Sequence, residues 1–597
     1  MCGIAAIFSI NGSEKVNLDQ LVRVCDAMKS RGPDGSGKWI STDKRVGLAH
    51  RRLAIIDLSA GGAQPMSSED GNLVITFNGE IYNYLSLRES LESKGYQFRS
   101  TSDTEVLLYL YAEKGEDMLR DLRGMFAFVI WDANKKRIFI ARDPFGIKPL
   151  YYVDDGKNLR VASQVKALLA GGGIETSPQP AGHVGFFIWG HVPEPYTLYK
   201  EIKALPAGSF LWVDTRGKRK SSIYCQISDE LAIAARKPEA MVGSDGCRRL
   251  RDALLNSVRH HLISDVPVGV FLSSGIDSTT LVALASEVSS KPLNSITLGF
   301  REFQGTRNDE VPLAEMVAQK FGVKHRTIWV NKDDFRSHHV SLLKAMDQPT
   351  IDGVNSFFVS YAAKEAGIKV VLSGLGGDEL FGSYPSFNQI PRMVSILTPM
   401  RAAPRIGRAF RIMSGILLEK FTSPKYAGLL EYGNNYGGAY ILRRGLYMPW
   451  ELPKLLDPEM VREGWETLQT LVRLEETVKN INNNYLKVAA LEICWYMRNQ
   501  LLRDTDWASM AHSIEIRVPF VDIEFLRAIA PMLGAHIKPR KRDLGITPLN
   551  PIPSEVLSRK KSGFSVPLKE WLLAEADSPR ERGLRGWAKR VYQEHVA

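Results

Sequence analysis

The chain has 597 residues, 44% of them hydrophobic, and a net charge of +11 from 77 basic against 66 acidic side chains. That length exceeds what one core supports, so two or three domains are expected. The thin basic excess suits anionic small molecules such as ATP, and it gathers in no stripe or motif of the kind a nucleic-acid binder carries, so no nucleic-acid partner is expected.

The opening Met1-Cys2-Gly3-Ile4 lacks a basic leader and a small-residue cleavage site, which argues against a secretory signal. No run of about 18 apolar residues occurs, so no membrane span is expected. Five scattered cysteines (Cys2, Cys25, Cys225, Cys247, Cys494) without a CxxC or Cys/His cluster point to free thiols in a reducing cytoplasm.

In chain order, apolar and β-branched runs punctuated by Gly, Asp and Asn predict strands over Gly3–Ile10, Val46–Asp57, Leu73–Asn78, Met125–Trp131, Arg137–Arg142 and Leu159–Ser163. Helices are expected over Tyr84–Lys94 and Thr104–Lys114, and Trp131 to Arg137 reads as a hairpin connection. This is a mixed domain, residues 1–215, with largely antiparallel sheets. The polar, weakly patterned stretch Asp214 to Ser244 marks the boundary. From residue 240 onward, short strands at Val266–Leu272, Ser295–Phe300, Arg326–Val330 and Lys369–Leu372 alternate with helical stretches, which predicts a doubly wound parallel sheet. Ligands bind at the carboxyl ends of such strands. Beyond about 390 the chain reads as mainly helical.

Cys2 is the first residue to suggest chemistry. Removal of Met1 would leave its thiol beside its own α-amine. With pKa values of about 7.7–8 for the amine and about 8.5 for the thiol, one residue then supplies nucleophile and base. Acyl transfer also needs an oxyanion hole, and Asn78-Gly79 after an apolar strand offers a side-chain amide and an unhindered N–H. A glutamine substrate needs its α-carboxylate and α-ammonium held: Arg52 suits the first as a bidentate fork, Glu80 and Asp103 the second.

These residues lie in Met1-Cys2-Gly3-Ile4, Arg31-Gly32-Pro33-Asp34, His50-Arg51-Arg52-Leu53-Ala54-Ile55, Phe77-Asn78-Gly79-Glu80-Ile81-Tyr82-Asn83, Ser102-Asp103-Thr104-Glu105 and Asp143-Pro144-Phe145-Gly146-Ile147-Lys148. The set resembles the class II glutamine amidotransferase domain, whose fold is an N-terminal-nucleophile αββα sandwich. The resemblance implies Cys2 as nucleophile, Asn78 and Gly79 as the oxyanion hole, and Arg52, Ile55, Ile56, Glu80 and Asp103, with Asn78 and Gly79, as the glutamine site.

Gly32-Pro33-Asp34-Gly35-Ser36-Gly37-Lys38 fits GxxxxGK, but Trp39 stands where a Ser or Thr should reach Mg2+, and no strong strand precedes it, so we reject it as a phosphate loop. Leu272-Ser273-Ser274-Gly275-Ile276-Asp277-Ser278 is different. It joins an apolar strand to a helical run, exposing N–H groups and hydroxyls at a helix start, which favours an anion. Asp277 in a phosphate cradle implies an intervening cation. Ser373-Gly374-Leu375-Gly376-Gly377-Asp378-Glu379 repeats the pattern, so Asp277 and Asp378 at two strand ends are expected to share Mg2+. Lys561 in Arg559-Lys560-Lys561-Ser562-Gly563-Phe564 would neutralise developing phosphate charge.

Ser273–Ser278 is similar to the pyrophosphatase loop SGGxDS, with Ser274 in place of the commoner glycine. Together with Ser373–Glu379, Glu515-Ile516-Arg517-Val518-Pro519-Phe520-Val521-Asp522 and Lys561-Ser562-Gly563-Phe564, it makes the chain resemble the glutamine-hydrolysing asparagine synthetase family almost end to end. The resemblance implies a carbon–nitrogen ligase using glutamine, ATP and aspartate with Mg2+. It also implies ATP contacts from Leu272, Ser273, Ser274, Gly275, Asp277, Ser278, Leu298, Ser373 and Gly374, and adenylation assisted by Lys561. Family members that make asparagine carry a glutamate where this chain has Leu375, so a second acceptor, such as a sugar carboxylate in polysaccharide modification, stays open. Met393–Leu418 mixes apolar residues with Arg401, Arg405, Arg408 and Arg411; it reads as a helix with a basic face in water, the alternative being contact with a membrane surface. A homodimer is compatible with this reading.

Overall fold

The structure is a computed structural model that describes residues 2–12, 14–289, 291–421, 423–559, 567, 571 and 584–596. Two six-stranded antiparallel sheets form the N-terminal part. The first runs, in lateral order, Lys203–Ala204, Tyr151–Asp154, Asn158–Ala162, Gly3–Ser9, Val46–Arg52, Gly35–Ile40; the second runs Arg219–Ile223, Ser209–Asp214, Arg137–Arg142, Gly124–Asp132, Leu73–Ile81, Met66–Ser67.

Strand periodicity builds the layers. Ile4, Ala6 and Phe8 point into an inter-sheet core with Val74, Val129 and Ile140, while Ala5 and Ile7 face the helices Leu18–Asp26 and Val165–Gly171. On the far side of the second sheet, Ile75, Phe77, Phe126 and Phe128 share a core with Val106, Leu107 and Leu110 of the helix Asp103–Lys114. Helix, sheet, sheet, helix is the expected αββα sandwich. The expected hairpin is present, with Asp132 opposite Arg137.

Two segments lie outside the strands and helices expected from the sequence. Gly35–Ile40, which carries most of the GxxxxGK match, is an edge strand paired with Val46–Arg52 and precedes no helix. The stretch from Asp214 to Ser244 is no bare connector: Arg219–Ile223 extends the second sheet and Ile227–Arg236 is a helix whose Ile227 and Leu231 are buried. Its polar pattern reflects an exposed edge strand and a helix buried on one side only.

The third sheet has five parallel strands in the order Lys324–Val330, Asn294–Phe300, Val268–Phe271, Val370–Leu372, Glu515–Arg517. The order reverses direction at Val268–Phe271, with Asn294–Phe300 on one side and Val370–Leu372 on the other. This is the switch point at which doubly wound sheets open a ligand crevice. The three-residue strand Glu515–Arg517 is too short to be read from sequence. From Ser386 on, the described elements are helical apart from that strand. Pro404–Phe421 is a helix that docks by Arg411, which pairs with Glu431 at 2.6 Å and covers the Trp450 ring, and leaves Arg405, Ile406, Arg408, Ile412 and Met413 exposed. Among the described residues, no helix is long and apolar enough to cross a membrane.

Candidate active sites

Cys2 sits at the start of the central strand of the first sheet, buried beside Asn78 of the second. Its backbone nitrogen donates to Asn78 Oδ1 at 2.8 Å, and its Sγ lies 3.9 Å from the carbonyl of Leu53. That bond turns the Asn78 amide so that Nδ2, fully buried, has no hydrogen-bond partner. A buried donor without an acceptor is rare, and here it stands beside the thiol, where an oxyanion would form. Gly79 adds the second donor position. A Cβ there would lie 2.1 Å from the carbonyl oxygen of Met125, so only glycine fits. Burial raises the Cys2 thiol above its ordinary pKa, which calls for a local base.

Ile55 and Ile56 are buried in the loop after Val46–Arg52. Arg52 spends its guanidinium on that loop, donating to the carbonyls of Ser59 at 2.9 Å, Asp57 and Ile56. It therefore shapes that loop. Asp103 accepts from the Ile81 nitrogen at 3.0 Å, and burial pushes its carboxyl up to about 6. Glu80 is buried and raised well above the carboxylate range by burial and by the nearby Glu515.

Sequence reasoning missed what lies behind the thiol. Arg31 donates through Nε to the Cys2 carbonyl at 2.9 Å and forks onto Asp506 at 2.7 and 3.0 Å. Arg517 pairs with Glu515 at 2.7 Å and reaches Glu80 at 3.3 Å. The backbone carbonyl of the same Arg517 accepts from the Ser373 nitrogen at 2.8 Å. One residue therefore touches the glycine-rich loop with its main chain and the thiol site with its side chain. Arg31 and Arg517 stood in quoted motifs, but nothing local signalled partners so far along the chain.

The second site is a cavity of about 370 Å3 at the switch point. It is lined by every residue expected to contact nucleotide, from Leu272 through Ser278 with Leu298, Ser373 and Gly374, and by both Asp277 and Asp378. The first loop is tied off internally: Ser273 Oγ meets Ser278 Oγ at 2.9 Å and accepts from the Gly275 nitrogen at 3.2 Å. Ser274 Oγ is buried without a partner on the cavity wall. The loops approach closely because Gly377 has no side chain; a Cβ would lie 2.3 Å from Asp277 Oδ1.

Between the acids stands a lysine the sequence did not announce. Lys541 Nζ donates to Asp378 Oδ1 at 2.9 Å and to Asp277 Oδ2. Burial alone would lower its pKa, yet the two carboxylates raise it, so the ammonium is retained. Two carboxylates converging on one cation are the donor set a hard divalent ion requires, so the residues fit Mg2+. Arg559 lies on the same wall. Lys561 lies outside the described residues.

Residues 1–224 match the family model of the glutamine amidotransferase domain, and residues 249–592 that of asparagine synthase. The chain belongs to the asparagine synthase family. "Asparagine synthetase [glutamine-hydrolyzing] 1" of Bacillus subtilis (strain 168) is 33% identical over all of this chain and 90% of its own length. "Asparagine synthetase B [glutamine-hydrolyzing]" of Escherichia coli (strain K12) is 34% identical over 66% of each chain. "Amidase chry2" of Gibberella zeae is 31% identical over 65% of this chain and 60% of its own. The protein is thus an asparagine synthase-type ligase with an amidotransferase domain, and the thiol site and the loop cavity belong to these two parts respectively.

Proposed function

We propose that this ligase hydrolyses glutamine at Cys2 and transfers the ammonia to a carboxylic acid activated as an acyl-adenylate, the asparagine synthetase-type reaction. With Met1 removed, the Cys2 amine takes the thiol proton and Sγ attacks the amide carbon. The oxyanion is received by Asn78 Nδ2 and the Gly79 N–H. Ammonia leaves, and water releases glutamate from the thioester. In the loop cavity a carboxylate oxygen attacks the α-phosphorus of ATP and pyrophosphate departs. Ammonia then attacks the acyl carbon, and AMP leaves with the electron pair of the broken C–O bond. Asp277 and Asp378 would hold Mg2+, which when bound supplies charge neutralisation of the pyrophosphate. Lys541 orients the two acids, and Lys561 is assigned to adenylation by family kinship.

The observation that carries this reading is the single cavity onto which both glycine-rich loops and both acids converge. The names of the relatives support glutamine as nitrogen donor and asparagine as product, so in this reading aspartate is the acceptor and glutamate, AMP and pyrophosphate are released. A second reading, the same chemistry on another carboxylate, is favoured by Leu375, which offers neither charge nor proton acceptor on the cavity wall. The test is incubation with amide-15N glutamine, Mg-ATP and a wide panel of carboxylic acids. AMP, pyrophosphate and a 15N-labelled amide are expected in equal amounts with one class of acid. Absence of AMP with every acid would falsify the adenylation step.

A further inference from the structure

Between Ser386 and Leu418 the sequence holds five arginines, Arg392, Arg401, Arg405, Arg408 and Arg411, and no aspartate or glutamate. The same stretch gathers exposed apolar side chains. Ile396, Ile406, Phe410, Ile412 and Met413 are 74%, 58%, 39%, 65% and 83% exposed. They are five of the 17 large apolar residues exposed among the described residues, and they fall within 18 positions of the chain. Single exposed apolar residues are ordinary, whereas such a cluster marks a surface that meets something.

The helix Pro404–Phe421 holds this exposure in place. It packs on Pro424–Gly428 and Leu429–Tyr432, and its least exposed row is Gly407, Arg411 and Ser414, spaced i, i+4 and i+7. Gly407 lets the backbones touch: a Cβ there would lie 2.8 Å from the Cα and the nitrogen of Glu431. Arg411 adds its ion pair with Glu431 at 2.6 Å and its contact with the Trp450 ring. The neighbouring row Ile406, Phe410 and Met413 has the same helical spacing but faces solvent, with Arg405, Arg408 and Ile412 beside it. A surface helix of a globular protein turns its apolar row to the core. Here glycine, arginine and serine are turned in and the apolar row is turned out. A rotation that buried the apolar row would put a side chain where Gly407 meets the Glu431 backbone, so the outward face is fixed.

The charge on this face selects its occupant. A second copy of the chain would set the same arginines against each other, which like charge disfavours. An anionic bilayer surface offers what both kinds of side chain need: phosphates for the guanidinium forks and an acyl boundary for the apolar row. The helix, 18 residues and about 27 Å long, carries Arg405, Arg408 and Arg411 and so lies in the plane of such an interface rather than across it.

We propose that the stretch from Ile396 to Met413 docks the protein on an anionic membrane surface, with Arg405 and Arg408 meeting lipid phosphates and Ile406, Phe410 and Met413 entering the acyl boundary. Its test is flotation of the full chain with vesicles of phosphatidylcholine alone or with about one third phosphatidylglycerol, at about 0.1 M salt. Bound protein is expected to rise roughly tenfold or more with the anionic lipid. Arg405→Gln with Arg408→Gln, and separately Ile406→Ser with Met413→Ser, are each expected to weaken binding to the anionic vesicles roughly tenfold or more. Ile233→Ser, exposed on the helix Ile227–Arg236, is the control that leaves binding unchanged. All of these side chains are exposed, so the substitutions spare the fold. No binding to the anionic vesicles, equal binding to both kinds, or a loss in Ile233→Ser as large as in the patch variants overturns the proposal. So does undiminished binding in either double variant. Self-association in sedimentation that Ile406→Ser with Met413→Ser abolishes, without flotation, assigns the face to a second copy of the chain and overturns it as well.

Discussion

Arg31 and Asp506, 475 positions apart, meet through two parallel hydrogen bonds of 2.7 and 3.0 Å, with side chains 0% and 4% exposed. Because Arg31 also holds the Cys2 carbonyl, the nucleophile of one domain is braced by a carboxylate of the other. Removing one partner leaves an uncompensated buried charge, a loss of about 3–5 kcal/mol. Arg31→Met and Asp506→Leu should each lower the denaturation midpoint and weaken glutamine hydrolysis, while the double variant should recover most of the stability. Equal losses in the double and the sum of the singles, read from urea unfolding, would show that the pair is not coupled.

Cys2→Ala should abolish glutamine hydrolysis and leave ammonia-dependent pyrophosphate release near the wild-type rate. Parallel assays with glutamine and with ammonium chloride check this. Loss of both activities contradicts two separate sites. Mass spectrometry of the active protein is expected to find Met1 removed.

Lys541 holds Asp277 and Asp378 together, so Lys541→Ala leaves two carboxylates facing each other. Pyrophosphate release should fall by about 100-fold or more, the scale of losing a preorganised charge partner. Asp277→Asn should fall similarly. Glutaminase turnover is the control measured alongside, and pyrophosphate output within about twofold of wild type in both variants would rule out this role.

Glu379 and Asp504 bind protons more tightly folded than unfolded. Their contribution to stability is complete below about 4.5 and 3.8, their ordinary values, and is lost as pH rises through about 7. His50 and His191, lowered to about 3, work in the opposite sense and lose their contribution as pH falls below 6.5. Glu379→Gln keeps an acceptor for the Tyr384 hydroxyl, which lies 2.6 Å from Oε1. Its stability relative to wild type should therefore rise between pH 5 and 7.5 in a series of thermal melts about half a unit apart. A flat difference across that range counts against the raised carboxyl.

Gly79→Ala places a methyl group on the Met125 carbonyl oxygen. The expected result is a lowered melting temperature and loss of glutaminase activity, because the strand must shift just where the second oxyanion donor lies. An active, fully stable Gly79→Ala protein would remove the steric argument.

Apolar strands bounded by turn residues, such as Arg137–Arg142, were legible to the residue, and the loop residues expected to meet nucleotide all line one cavity, because strand–glycine–helix signals are local. What stayed hidden depends on distance along the chain. Lys541 sits in the basic run Lys538 to Arg542, indistinguishable from a solvated surface until Asp277 and Asp378 close on it. Asp506 shows its purpose only opposite Arg31. The strand Gly35–Ile40 was obscured for a different reason: an edge strand tolerates the Gly, Ser and Lys that also spell a phosphate loop.

Arg517 has a consequence for dissecting the protein. Its guanidinium is fully buried between Glu515 and Glu80, one from each domain, while its main chain anchors the loop at Ser373. A C-terminal half produced by itself would bare that guanidinium and strand Asp506 without a counter-ion, and an N-terminal half would lose the cation facing Glu80. Any attempt to obtain independent modules by cutting the chain must therefore redesign this seam first.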